Sequence, residues 1–152
     1  MGITVKNVCP WTVSFKSKSK ERGELFAPFE ESDRLTIEEI QYQIEKNNRG
    51  FTGVDGFGSH APFQLVNLEE YNQVFGFEKS KLPEYFNESI FKKMVKMKDE
   101  TKFKAALEKN ILTVADKRRL IYFFAREKGL IDSVPIWMKW AIRAYTGMNI
   151  KP

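Results

Sequence analysis

The chain opens on alternation. ITVKNV and WTVSFKS place β-branched or aromatic residues at every second position, which sets one side of a strand against a core. Cys9-Pro10 lies between the two runs. Proline has no amide hydrogen for a ladder, so the runs form one strand with a bulge or two short strands. KSKSKERGE (16–24) is polar and reads as a turn, and ELFAPFE resumes a short strand. The period then changes. In TIEEIQYQIEKNNRG, Ile37, Ile40, Tyr42 and Ile44 form a stripe of helical spacing. Thr36 and Glu39 have the spacing of a capping box, and Asn47, Asn48 and Gly50 close the helix, Gly50 as a left-handed cap. Strand signals return in FTGV and PFQLV, on either side of DGFGSHA. Asn67 followed by Glu70 starts a short helix, LEEYNQVF.

The second half shows helical periods throughout. Asn87 caps ESIFKKMVKMK, and KFKAALEKN follows as a further helix. Thr113 and Asp116 resemble a capping box before VADKRRLIYFFAREK, where Val114, Leu120, Ile121, Phe123 and Phe124 make a wide apolar face. Asp132 or Ser133 caps VPIWMKWAIRAYT, with Pro135 in the first turn and Gly147 at the end. Its apolar face is Ile136, Trp137, Trp140, Ala141 and Tyr145. Such faces must cover one another, because most helical stability in water comes from packing. The expected fold class is α+β. A β-rich module with one helix occupies residues 1–76, a hinge 77–85, and a basic helical module 86–152.

Composition supports a globular chain. Of 152 residues, 42% are hydrophobic and 13 are Phe, enough apolar area for a substantial core. Cys9 is the single cysteine, so no intramolecular disulfide forms, as expected in a reducing compartment. The start MGITVKNVCPW lacks a signal-peptide core, and no apolar run approaches the ~20 residues of a membrane span, so a soluble intracellular protein with no membrane partner is expected. Charge is divided unevenly. Residues 1–76 hold 8 Lys+Arg against 11 Asp+Glu, and residues 77–152 hold 17 against 9, so the halves carry −3 and +8 of the total +5. Such asymmetry points to two modules, one of them facing an anionic partner.

Catalytic chemistry finds little footing. Gly53, Gly56 and Gly58 are spaced G-x-x-G-x-G and precede a strand, whereas a dinucleotide loop needs G-x-G-x-x-G before a helix. Asp55-Gly56 between two strand-like runs is instead a hairpin signal, with Asp55, Gly56 and Gly58 as the structural turn. His60 is the only histidine, and with Cys9 it does not make a zinc site. A Cys9–His60 nucleophilic pair would lack a third orienting group. The doublets Glu30-Glu31, Glu38-Glu39 and Glu69-Glu70 do not face one another on a helix, and two of them suit first turns. No catalytic residue, cofactor or metal is expected. The basic stretches are more suggestive. Lys92, Lys93, Lys96 and Lys98 fall on one predicted helix, and Lys117, Arg118 and Arg119 on another with Arg126. Cations interleaved with aromatics can track phosphates, although a solvated helix face has the same composition.

Taken in order, WTVSFK, RLTIEEIQYQI and FTGVDGFGSHA resemble a small module encoded among the head and virion structural genes of tailed bacteriophages. The resemblance spans residues 1–78 and leaves the C-terminal helices uncovered. It implies a non-enzymatic virion structural protein, assembled in the host cytoplasm, that docks on a capsid or neck protein through its β-rich module, for instance by edge-strand pairing. The helical module would then support homo-oligomer contacts or face the packaged genome. The alternative is a nucleic-acid-binding accessory protein using the lysine-rich helices. A small phage enzyme or an inhibitor of a host protein is a third class.

Overall fold

Strand β1 (Ile3–Asn7) forms the centre of the first unit, and its alternation is visible in space: Ile3, Val5 and Asn7 are buried, Thr4 and Lys6 half-buried. The computed structural model describes residues 2–18, 23–127 and 129–148. β2 (Val13–Phe15) and β3 (Glu24–Phe26) pair antiparallel as a separate two-stranded ribbon. The Cys9-Pro10 segment therefore divides two strands that lie in different sheets. Of the polar turn expected at 16–24, residues 19–22 lie outside the described residues.

β4 (Glu31–Leu35) was not expected, because ESDRL is polar at four of its five positions. It pairs antiparallel with β1, setting Val5 opposite Ser32 and Lys6 opposite Glu31, and buries Ser32 and Leu35. α1 (Ile37–Glu45) follows, with Thr36 Oγ1 accepting from the Glu39 amide at 3.1 Å. The other half of the expected capping box is replaced. The Glu39 carboxylate turns away, accepting from the Ser17 hydroxyl and the Lys18 amide, and so ties the end of the ribbon to the helix.

The next expectation fails for a clear reason. Gly50 does not cap α1. Lys46 is its C-cap, Asn47 takes the positive φ of 55°, and Asn48 opens a new short helix, α2 (Arg49–Thr52), by accepting from the Gly50 amide. FTGV is thus the end of a helix rather than a strand, so there is no hairpin across DGFGSHA. β5 (Phe63–Leu65) instead joins the far edge of β1, antiparallel, giving a sheet in the order β4-β1-β5. α3 (Leu68–Phe75) starts at Asn67, as expected, and ends on Gly76 in the left-handed region. The core of this unit is aromatic: Phe15, Phe26, Phe51 and Phe63 meet in edge-on and stacked pairs with centroids 4.9–6.1 Å apart.

The chain divides into two units between Glu84 and Tyr85. The stretch expected to be a hinge therefore belongs mostly to the first unit. Phe77 packs on its core, and the Glu84 carbonyl accepts from the His60 amide at 2.7 Å.

Among the described residues the second unit is helical: α4 (Glu88–Val95), α5 (Glu100–Asn110), α6 (Val114–Arg126), the short α7 (Leu130–Ser133) and α8 (Ile136–Thr146). Phe91, Met94, Phe103, Leu107, Leu120, Phe123, Phe124, Met138 and Ile142 fill its core. Thr113 and Asp116 make both halves of a capping box. Three expectations need correction. Asp132 and Ser133 lie within α7, and α8 begins after Pro135 without a side-chain cap. In addition, the buried face of α8 is Met138, Ala141, Ile142 and Thr146, whereas Ile136 and Trp140 point outward at 61% and 65% exposure. The stripe is rotated: Met138 and Ile142 are fully buried in the helical core, while Trp137 and Tyr145 are only partly buried against it. Val114, expected on the α6 core face, is likewise exposed.

Candidate docking and anion-contact surfaces

The loop between α2 and β5 is built as a closed clasp. Asp55 Oδ1 accepts from the amides of Phe57 (2.8 Å) and Ser59 (3.2 Å), the local bonding that an aspartate in a turn supplies. Val54 N donates to the Ser59 carbonyl, and Gly58 N to that of Thr52. From below, the buried Gln64 amide donates to the Gly58 and Ala61 carbonyls, both at 2.8 Å, and the Tyr71 hydroxyl to that of Phe57 at 2.7 Å. Burial, helped by the Asp55 charge, pushes the Tyr71 phenol up, which keeps it a donor. Gly56 and Gly58 have φ of 85° and 93°. The Asp55 carboxylate thus serves the loop's own backbone, and Gln64 and Tyr71 hold its carbonyls from outside. His60 is buried, with φ 60°, and Cys9 is buried on the segment whose Val8 amide donates to the Pro62 carbonyl. Among the described residues no group of three His, Cys, Asp or Glu is placed to hold a metal ion.

The predicted cations separate into three situations. Lys92 and Lys93 are exposed on α4 and Lys96 is its C-cap; the three line a shallow depression of about 460 Å³ with Glu88 and Ser89. Lys98, expected on the same helix, lies beyond it in the link to α5, because α4 ends where Met97 N bonds back to the Met94 carbonyl. Part of the positive charge is matched. Glu88 Oε1 accepts from Arg126 at 2.6 Å and lies 3.5 Å from Lys92. Desolvation pushes the Glu88 carboxyl up, but the Arg126 and Lys92 cations outweigh it and hold the group below its usual range. On α6, Arg118 is exposed and Lys117 half-buried.

Arg119 must be withdrawn as a contact residue. It is 1% exposed, with Nη2 2.5 Å from Asp116 Oδ1 and its guanidinium 5.7 Å from the Tyr85 ring centre. Three residues after Asp116, it falls on the same, core-facing side of the helix, away from the exposed Arg118. Asp116 also accepts from the Leu112 and Thr113 amides, so one carboxylate both caps α6 and neutralises a buried cation.

The outward face of α8 is an exposed apolar surface that the sequence pattern does not separate from the core. Ile136 and Trp140 are four residues apart and so share one row, with Ala144 next along it. Lys139 and Arg143 form the neighbouring row. Between α5 and α8 lies a groove of about 230 Å³ lined by Lys104, Leu107, Glu108, Ala141, Ala144 and Tyr145. The sequence carries the signal, since Ile136, Trp140 and Ala144 repeat every four residues, but Ile136 and Trp140 are expected there on the core face.

A second exposed apolar feature lies in the first unit. Leu25 is 69% and Phe29 44% exposed, in the β3–β4 segment. Phe29 has φ 56°, which an aromatic residue rarely adopts. Asn7 secures this turn: its fully buried amide donates to the Trp11, Phe26 and Ala27 carbonyls, and its Oδ1 accepts from the Cys9 amide at 2.9 Å. The Phe29 amide bonds the Cys9 carbonyl at 3.2 Å, and Asn7 N bonds that of Glu30 at 2.9 Å.

Comparisons with protein-family models, curated proteins and solved structures find no match to this chain. No helix among the described residues is long and apolar enough to cross a membrane.

Proposed function

We propose that this protein is a non-enzymatic structural component of a tailed-bacteriophage particle, acting by protein–protein docking on capsid or neck proteins. The observation that carries the docking part is the outward row Ile136–Trp140 on α8. A tryptophan left mostly in water on an otherwise well-packed helix is typical of a residue whose burial awaits a partner. The particle itself is suggested by the resemblance of residues 1–78 to a phage head-associated module. Mass spectrometry of purified particles tests the assignment: the chain is expected at defined stoichiometry, and its absence from particles ends the reading.

Nucleic-acid contact through Lys92, Lys93 and Lys96 is the second reading, favoured by their shared exposure around one depression. In that case DNA affinity falls steeply between about 50 and 200 mM salt, because phosphate contacts release counterions. Lys92→Glu with Lys96→Glu should lower it further. No binding at low salt removes this reading.

A further inference from the structure

We propose that copies of this chain assemble head to tail, the acidic β3–β4 turn of one copy seating on the basic α8 face of the next. This rests on the docking reading above and names the partner as a second copy of the same chain.

Charge and apolar character agree. The β3–β4 segment, residues 25–33, contains Glu30, Glu31 and Asp33, all exposed, ahead of Arg34. Its apolar tip is Leu25 and Phe29. The receiving face pairs an apolar row, Ile136 and Trp140, with a cationic row, Lys139 and Arg143. Each surface therefore combines apolar contact with charge opposite to that of the other. Apolar contact supplies affinity and the surrounding charges supply register and encounter rate. The same opposition holds for the units as wholes: residues 85–152 carry 15 Lys+Arg against 7 Asp+Glu, and residues 1–84 carry 10 against 13.

Phe29 adds an independent reason. A non-glycine residue at φ 56° stores backbone strain, and such strain survives only where the surroundings enforce it. Here Asn7 and the Cys9 carbonyl enforce it, yet the ring they hold in place is turned to solvent rather than into the core. Rigid presentation of an exposed aromatic lowers the entropy lost on binding. Used head to tail, the contact repeats into a ring or an open chain, whereas reciprocal pairing of the same two patches would close a two-fold dimer.

Two variants of the full chain test this. Phe29→Ala keeps an intact α8 face, and Trp140→Ala keeps an intact turn. Sedimentation velocity of the unaltered protein at about 50 mM salt should show species growing with concentration, and about 500 mM salt should weaken them through screening. Each variant alone should lose at least about tenfold in association, as for a central aromatic contact. Mixed in equal amounts, the two should form one-to-one dimers and nothing larger, since only one intact contact remains per pair. Should Trp140→Ala fail to fold, Arg143→Glu replaces it, because that side chain is exposed and outside the core. A monomeric wild type at every concentration overturns the proposal. So does self-association that Phe29→Ala leaves unchanged, which would mean a symmetric α8 contact. So does a mixture that fails to dimerise. A monomer still found in purified particles would sink this inference while leaving the docking reading intact.

Discussion

Arg119 stands in a run of three cations, Lys117-Arg118-Arg119, and nothing in its chemical type separates it from its neighbours. Its position does. Three residues after Asp116 it meets a carboxylate already committed to the helix N-terminus, and both side chains are out of water. Removing one partner of such a pair leaves a buried charge uncompensated. Asp116→Ala is therefore expected to destabilise the helical unit by about 3–5 kcal/mol in urea unfolding, since it also orphans the Leu112 and Thr113 amides. Asp116→Ala with Arg119→Met should recover part of that loss, because the buried cation goes too. Strictly additive effects would show that the two residues are not coupled. At this scale the sequence was legible where a residue acts on its own backbone, as Asn67, Asn87 and Thr113 do in capping helices. It was not legible where a side chain reaches across the fold. Asn7 closing the β3–β4 turn and Glu39 reaching Ser17 depend on neighbours 19–22 residues away in the chain.

Elements whose burial follows their period were legible, and elements defined by tertiary pairing were not. The alternation of ITVKN predicts β1 because that strand is central and its buried side chains supply the pattern. ESDRL becomes β4 only because β1 offers it an unpaired edge, and its polar side chains mostly face solvent. Asp55-Gly56 suggested a hairpin since the same residues serve any tight turn. What decided against it is Asn48, which caps a helical turn through FT and redirects the chain before Gly53. Gly53 then carries the sharpest demand in the loop. With φ 65° and ψ −148° it occupies a region essentially reserved for glycine, and a Cβ there would run into the Ser59 carbonyl oxygen. Gly53→Ala should cost about 3 kcal/mol or more in thermal or denaturant unfolding. Gly56→Ala, at φ 85° but with open space around it, should cost only about 1 kcal/mol. Equal costs would mean that the clasp is not the rigid element its hydrogen bonds imply.

For the whole molecule, the α+β class was legible because strand periods are confined to the first half and the second half is helical in period, with the charge changing sign between the halves. The boundary between Glu84 and Tyr85 falls inside the expected hinge, at its C-terminal end. FEKSKLPEY has the composition of a linker, and Lys79 and Lys81 are exposed as a linker's would be. Yet Phe77 is half-buried beside Tyr71 and Phe57, with ring centres 6.0 and 5.2 Å away, and the Glu84 carbonyl accepts from His60. Those contacts make residues 77–84 the last layer of the first unit, laid over the α2–β5 clasp, with Pro83 beside Gly58. Two truncations separate composition from packing. A fragment of residues 1–84 should melt cooperatively, whereas one of residues 1–76 loses the Phe77 ring and the Glu84 bond together. Losing a half-buried aromatic side chain and one hydrogen bond should lower stability by about 2–4 kcal/mol, read as a lower melting temperature and a lower urea midpoint. The clasp should loosen with it, giving faster amide exchange at Gly58 and His60, whose neighbours are removed. If the two fragments melt together, residues 77–84 act as a tether after all, and the boundary belongs where the composition alone would put it.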